Sequence, residues 1–226
     1  MNLLKVFISR DLKKDSPFQQ ILTQANFLVY GKNLLQFHPV KFSLPATFDW
    51  LFFYSKNGVQ FFLQSLPDRA LIDTKKIATI GKGTADFAEE LGLSVNFVGT
   101  GQPITTAKNF EKVASHQKVL FPRAKYSRQS IQKLLLTSSI ECLDLVIYEN
   151  IPKDHFSVPN CDILVFTSPL NAISYFQQYT YKNSQHLVAI GKTTENALIQ
   201  LGHKNVLTAT QPTEKALAEL VLSLDR

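Results

Sequence analysis

Lys5-Val6-Phe7-Ile8-Ser9-Arg10 returns 113 positions later as Lys118-Val119-Leu120-Phe121-Pro122-Arg123. Both are short apolar runs closed by an arginine, and the correspondence continues outward from them. The same spacing relates Pro39 to Pro152, Asp49 to Asp162, Phe53 to Phe166 and Ser55 to Ser168. A spacing of 110 relates Ile80-Gly81-Lys82 to Ile190-Gly191-Lys192, Thr84 to Thr194, and Leu91-Gly92 to Leu201-Gly202, while Pro103 and Pro212 stand 109 apart. An ordered series of this kind across 226 residues reads as an internal duplication.

Each half then reads as a strand, a helix, a second short strand, a proline-marked connector and three strand–helix units. The predicted strands are Leu4–Ile8, Phe27–Tyr30, Trp50–Tyr54, Ile77–Ile80 and Val95–Val98, followed by Val119–Phe121, Ile140–Leu143, Ile163–Thr167, Leu187–Ile190 and Asn205–Leu207. Apolar residues at three- and four-residue spacing predict helices over Thr84–Leu91, Thr194–Leu201 and Glu214–Leu222. Strands without polar alternation, interleaved with helices, imply a parallel α/β sheet covered on both faces. The connectors fall near Gly31–Phe48 and Leu145–Cys161, each with two prolines. Two arrangements satisfy this pattern. Each half builds its own five-stranded sheet, or the chain crosses at both connectors, joining 1–34 to 152–226 around an insert at 40–145.

Composition narrows the class. With 45% hydrophobic residues and 17 Phe, the chain can build a core, which excludes intrinsic disorder. No apolar stretch approaches the ~20 residues of a bilayer span, and the N-terminal apolar run lacks the length and cleavage site of a signal peptide. Cys142 and Cys161 make neither a metal spacing nor a disulfide framework, so a cytoplasmic, reducing setting is expected. The net charge of +6 suits an anionic partner. Without a basic stripe, a basic helix or an exposed aromatic platform, nucleic acid is not the expected one.

In open parallel sheets a ligand sits beyond the carboxyl ends of the strands, and the repeated polar residues fall there. Ser9-Arg10 and Pro122-Arg123 close the first strands, and Ser55-Lys56-Asn57-Gly58 and Ser168-Pro169-Leu170-Asn171 close the third. Gly81-Lys82-Gly83-Thr84 and Gly191-Lys192-Thr193-Thr194 close the fourth. Ser168 before Pro169 is a helix-start signal, and Ser55, Thr84 and Thr193 are expected to cap helices in the same way. Helix starts offer unpaired N–H groups and the positive dipole end to carboxylate or phosphate. Established phosphate motifs are absent: Lys76 and His186 stand where a P-loop needs glycine, and Gly81-x-Gly83 and Gly99-x-Gly101 do not continue as dinucleotide fingerprints. Five scattered histidines give no metal pair, and Gly-x-Ser-x-Gly is missing. Neither cofactor nor metal is implied.

These motifs together resemble the uroporphyrinogen-III synthase family. The resemblance is carried by Asp49 through Val59, Ala78-Thr79-Ile80-Gly81 with Thr84, Val119 through Arg123, Val146-Ile147-Tyr148, Asp162 through Pro169, and Ala189 through Thr194. It implies two flavodoxin-like domains joined by a two-stranded connector at 35–39 and 146–151, which selects the crossing arrangement. It implies cofactor-free cyclisation of hydroxymethylbilane, a linear tetrapyrrole with eight carboxylates, to uroporphyrinogen III, with loss of water and inversion of ring D. A monomeric enzyme hinged at its connectors is expected, with no membrane partner.

Tyr148 matches the tyrosine the family places at its cleft and is expected to be the proton donor or the residue that orients the leaving group. Substrate carboxylates are assigned to Arg10, Ser55, Lys56, Asn57, Gly81, Thr84, Arg123, Ser168, Pro169, Gly191, Lys192, Thr193 and Thr194. One departure is the loop after Arg123, glycine-rich in many relatives but here Ala124-Lys125-Tyr126-Ser127-Arg128. The competing reading is a non-catalytic two-domain module that binds an anionic metabolite through the same helix starts.

Overall fold

The computed structural model describes residues 3–224. The chain begins with β1 (Lys5–Ile8), α1 (Pro17–Gln24), β2 (Leu28–Gly31), β3 (Leu35–Pro39) and β4 (Trp50–Phe53). It continues through α2 (Lys56–Ser65), a 3-10 turn at Arg69–Ile72, β5 (Lys76–Thr79), α3 (Lys82–Glu90), β6 (Val95–Val98) and α4 (Pro103–Ala114). Then come β7 (Lys118–Ala124), α5 (Ser130–Leu135), β8 (Glu141–Pro152), β9 (Ile163–Phe166) and α6 (Pro169–Gln178). The chain closes with β10 (His186–Ala189), α7 (Lys192–Gln200), β11 (Val206–Thr208) and α8 (Glu214–Leu222). Among the described residues no helix is long and apolar enough to cross a membrane.

Two compact units result: a terminal unit that runs to Gln36 and resumes at Ile151, and an inserted unit, Phe37–Asn150. The terminal sheet has the order β2-β1-β9-β10-β11, and its strand pairs are parallel. The inserted sheet has the order β3-β8-β7-β4-β5-β6. A separate sheet for each half of the sequence is therefore not what forms. Numbered within each half, the terminal sheet takes strands one and two of the first and three to five of the second. The inserted sheet takes the complement. Both follow the flavodoxin-like order 2-1-3-4-5, with β3 added at the edge of the second.

Burial explains why these runs are strands. All four residues of β4 and of β9 are buried, as are the last three of β1, β5 and β10. Apolar side chains on both faces find cover only between two helical layers. In the inserted unit Leu51, Phe53, Val59 and Phe62 pack on one side of the sheet, and Trp50, Phe52, Phe110 and Phe121 on the other. The Phe52 and Phe110 rings meet edge to face with centroids 5.0 Å apart, a favoured aromatic geometry.

The expected strand boundaries hold within a residue or two except at β7, which runs three residues past Phe121 to Ala124, and at β8. The sequence reading ends a strand at Leu143 and opens a connector at Leu145, whereas one strand runs through both. Asp144, Glu149 and Asn150 break its apolar pattern, yet β7 and β3 flank it in the sheet.

Candidate functional site

In each sheet the strand order turns at one point, β1 against β9 and β7 against β4. Ligands of doubly wound sheets collect outside the carboxyl ends at such a turning point.

In the inserted unit, β4 delivers Ser55 to this place. Ser55 is extended (φ −161°, ψ 161°) and its Oγ accepts the Gly58 N–H at 3.1 Å, so it caps α2 as expected. A Cβ on Gly58 would stand 3.6 Å from the Pro122 carbonyl oxygen, so α2 begins directly against the end of β7. Tyr148 approaches from β8. It is only 7% exposed, and its ring stacks on Phe61 with centroids 4.9 Å apart and planes 15° apart. Burial pushes its phenol above the ordinary value, and the neighbouring Ser55 side chain opposes that push. The hydroxyl is therefore neutral over the physiological range. Lys56 is exposed and holds its Nζ 5.6 Å from the Phe87 ring centroid. Its Cε would lie 4.0 Å from a Cβ on Gly83, so the starts of α2 and α3 are neighbours.

The start of α3 differs from the expectation. Thr84 does not cap it. Gly81 occupies the N-cap with no side-chain hydrogen bond, and Thr84 lies inside the first turn, 8% exposed. In the terminal unit α7 repeats this: Gly191 is the N-cap, Thr193 is exposed in the first turn, and Thr194 is 1% exposed. The lysine at the head of each helix folds back on its own first turns, Lys82 to Asp86 and Lys192 to Glu195, both at 2.8 Å. The leading amides of α3 and α7 thus have no side-chain acceptor, which suits them to an incoming carboxylate.

In the terminal unit the turning point is laced shut. The Ser9 Oγ accepts the Thr167 N–H at 2.9 Å, and the Thr167 hydroxyl donates to the Ser9 carbonyl at 2.9 Å. Ser168 caps α6 by accepting the Asn171 N–H at 3.2 Å and its Nδ2 at 2.9 Å, with Pro169 at the first helical position. Asn171 Oδ1 in turn accepts the Leu34 N–H at 3.0 Å.

The two arginines are committed to the protein itself. Arg10 Nη1 donates to Glu214 Oε1 at 3.2 Å, at the head of α8. Glu214 also accepts from the Ser16 hydroxyl at 2.6 Å. Burial pushes the Glu214 carboxyl up, but the hydrogen bonds from Ser16 and Arg10 outweigh it and leave the group below its ordinary value. Arg123 is bound more completely. Its Nε and Nη2 grip the Asp144 carboxylate as a fork, and its Nη1 donates to the carbonyls of Ala124 at 2.8 Å and Lys125 at 2.9 Å. The assignment of Arg123 to substrate thus meets a side chain with four of its five donors already occupied, whereas Ser55, Lys56, Asn57, Gly81 and Tyr148 collect on one edge.

The sequence reading missed Glu214, Asp144 and the loop Gly99-Thr100-Gly101. A lone acid within the apolar run Leu143–Val146 was the available signal for Asp144. The glycine pair signalled the loop, dismissed for lacking the rest of a nucleotide motif. A Cβ on Gly81 would stand 3.1 Å from the Gly101 nitrogen, so this loop braces the start of α3. Among the described residues, no group of three or more His, Cys, Asp or Glu could hold a metal ion.

Comparison with known proteins bears on the whole chain. The family model described as uroporphyrinogen-III synthase HemD matches residues 17–219. A uroporphyrinogen-III synthase of Chlorobaculum parvum is 28% identical over 221 residues, covering 88% of this chain and 90% of that one. Among solved structures, the uroporphyrinogen-III synthetase of Helicobacter pylori superposes with a TM-score of 0.79 at 22% identity, covering 98% of this chain and all of that one. A mutant uroporphyrinogen III synthase of Thermus thermophilus gives 0.57 at 15% identity, covering 98% of this chain and 99% of that one. These two likenesses concern the fold.

Proposed function

Because this chain belongs to the uroporphyrinogen-III synthase family, we propose that Tyr148 is the proton donor in its reaction and that the carboxyl-edge helix starts hold the substrate. The activity is a cyclising loss of water: hydroxymethylbilane closes to uroporphyrinogen III with ring D inverted.

Hydroxide is a poor leaving group, so its departure needs a proton, and the cation left behind must meet the correct carbon before water does. The Tyr148 phenol carries a proton at neutral pH, and the Ser55 side chain beside it offsets part of the rise in its pKa that burial causes. Ser55 is a polar neighbour that orients the hydroxyl and steadies the oxygen as its proton leaves. Eight carboxylates need many donors. Each unit offers donors of its own: the leading amides of α2 and α3 with Lys56, Asn57 and Gly81 in the inserted unit, and those of α7 with Gly191 and Thr193 in the terminal unit. Ser168, Pro169, Thr84 and Thr194 shape the turns that present them. Arg10 and Arg123 contribute by holding local structure. A cytoplasmic, monomeric enzyme is part of the same proposal; two unbridged cysteines support its reducing setting.

The single observation behind the donor assignment is the buried Tyr148 hydroxyl against Ser55 at the point where the sheet order turns. A coupled assay tests it: hydroxymethylbilane is generated in place, and porphyrin isomers I and III are separated after oxidation. The parent protein is expected to yield isomer III, and Tyr148→Phe to lower kcat by about 10²-fold or more. An undiminished kcat in Tyr148→Phe would remove the donor role while leaving the family activity intact. Isomer I alone from the parent would favour a non-catalytic binder.

A further inference from the structure

Tyr148 owes its position to an irregularity in the sheet. From Lys118↔Glu141 to Arg123↔Val146, β7 and β8 pair residue for residue, but the next pair is Ala124↔Tyr148. Ile147 is the extra residue of a β-bulge. Along β8, Leu143, Leu145 and Ile147 join the hydrophobic layer that contains Phe53, Val59 and Phe62, while Cys142 joins the opposite layer. Strict alternation would send Tyr148 to that opposite layer. Instead Tyr148 follows Ile147 into the same layer, where Phe61 and Ser55 meet it. The bulge turns the side chain over, a known use of bulges beside active sites.

The register shift is clamped from the other side of the strand pair. Arg123, the last residue in regular register, grips Asp144 on β8 and, through Nη1, the carbonyls of Ala124 and Lys125 just beyond the shift. Gln129 and Gln132 add hydrogen bonds to Asp144 Oδ1 at 3.2 and 3.0 Å. The Lys125 N–H then closes on the Tyr148 carbonyl at 2.8 Å, and the carbonyl of the extra residue, Ile147, accepts the Val40 N–H at 2.8 Å. Both carbonyls at the shift thereby have partners, and the Arg123 side chain is 11% exposed.

We propose that Arg123 and Asp144 are positioning residues that hold the β7–β8 bulge and so aim the Tyr148 hydroxyl at Ser55. This rests on Tyr148 being the donor, and a double-mutant cycle keeps the two ideas apart. Asp144→Ala, Tyr148→Phe and the double variant are compared for kcat, KM and the isomer III fraction. Asp144→Asn, which keeps the side-chain shape, runs alongside in case the alanine variant does not fold. With Tyr148 present, loss of the Asp144 carboxylate should lower kcat about 10-fold with KM within about two-fold, as a misaimed donor would. With Tyr148→Phe already in place, the same change should leave kcat within about two-fold. Equal losses in both backgrounds would mark a purely structural role and overturn the proposal, as would an unchanged kcat in a folded Asp144 variant. If Tyr148→Phe alone retains the parent rate, the donor assignment fails, which is read separately from the coupling.

Discussion

Gly99→Ala should damage the protein far more than the addition of one methyl group suggests. A Cβ at this position would stand 2.4 Å from Thr106 Cγ2 and 2.5 Å from the Ile80 carbonyl oxygen, against ordinary contacts of about 3.5–4 Å. Neither neighbour can yield freely. Thr106 is fully buried, and its Oγ1 accepts the Thr100 N–H at 3.0 Å. The Ile80 carbonyl accepts the Gly101 N–H at 2.7 Å. Overpacking of this kind costs about 1–3 kcal/mol, and one sacrificed hydrogen bond adds about 1 kcal/mol, so a loss of about 2–4 kcal/mol is expected. The loop also leans on Gly81, so the displaced backbone should reach the head of α3 and lower kcat/KM together with stability. Urea denaturation followed by circular dichroism measures the first effect and the coupled isomer assay the second. Gly83→Ala is the internal control, because a Cβ there meets only the Lys56 Cε at 4.0 Å and should be neutral or slightly stabilising. An unshifted urea midpoint in Gly99→Ala, or equal losses in both variants, would refute the steric reasoning.

Two further outcomes follow from the helix heads. Ser168→Ala removes the acceptor of two Asn171 donors and should cost about 1–2 kcal/mol by thermal or urea unfolding. Glu214→Gln bears on pH. The folded carboxyl titrates below its ordinary value of 4.5, so its stabilising contribution is complete above that value and fades as pH falls through the lowered one. Unfolding free energy followed on acidification should therefore fall less steeply in Glu214→Gln than in the parent, starting from a lower plateau near neutrality.

The strands were legible in the sequence because two-face burial leaves a plain mark: Trp50-Leu51-Phe52-Phe53 and Ile163-Leu164-Val165-Phe166 contain no polar residue. Ser55 and Ser168 were legible as caps because a hydroxyl ahead of a helix has a local function. The caps of α3 and α7 were misread because a threonine two or three residues inside a helix looks much like one at its head. Arg10 and Arg123 show another limit. An arginine at a strand end announces a charge, but its partner is decided by tertiary structure: Glu214 is 204 positions away, and Asp144 lies on the adjacent strand. The Tyr148 bulge had no readable signal, since Val146-Ile147-Tyr148 looks like an ordinary strand and only the pairing with β7 reveals the extra residue.

The sharing of strands between the ends of the chain has a consequence for synthesis. β1 and β2 leave the ribosome well before β9, yet Val6 takes its sheet partner from Ile163. At about 5–20 residues per second, that partner arrives roughly 10–30 s later. The inserted unit is continuous, so it can close its own core during that interval. Val6, Phe7 and Ile8, all fully buried at the end, spend it without the β9 and β10 side chains that cover them. Until β9 and β10 emerge, the apolar faces of β1 stay open to misassociation.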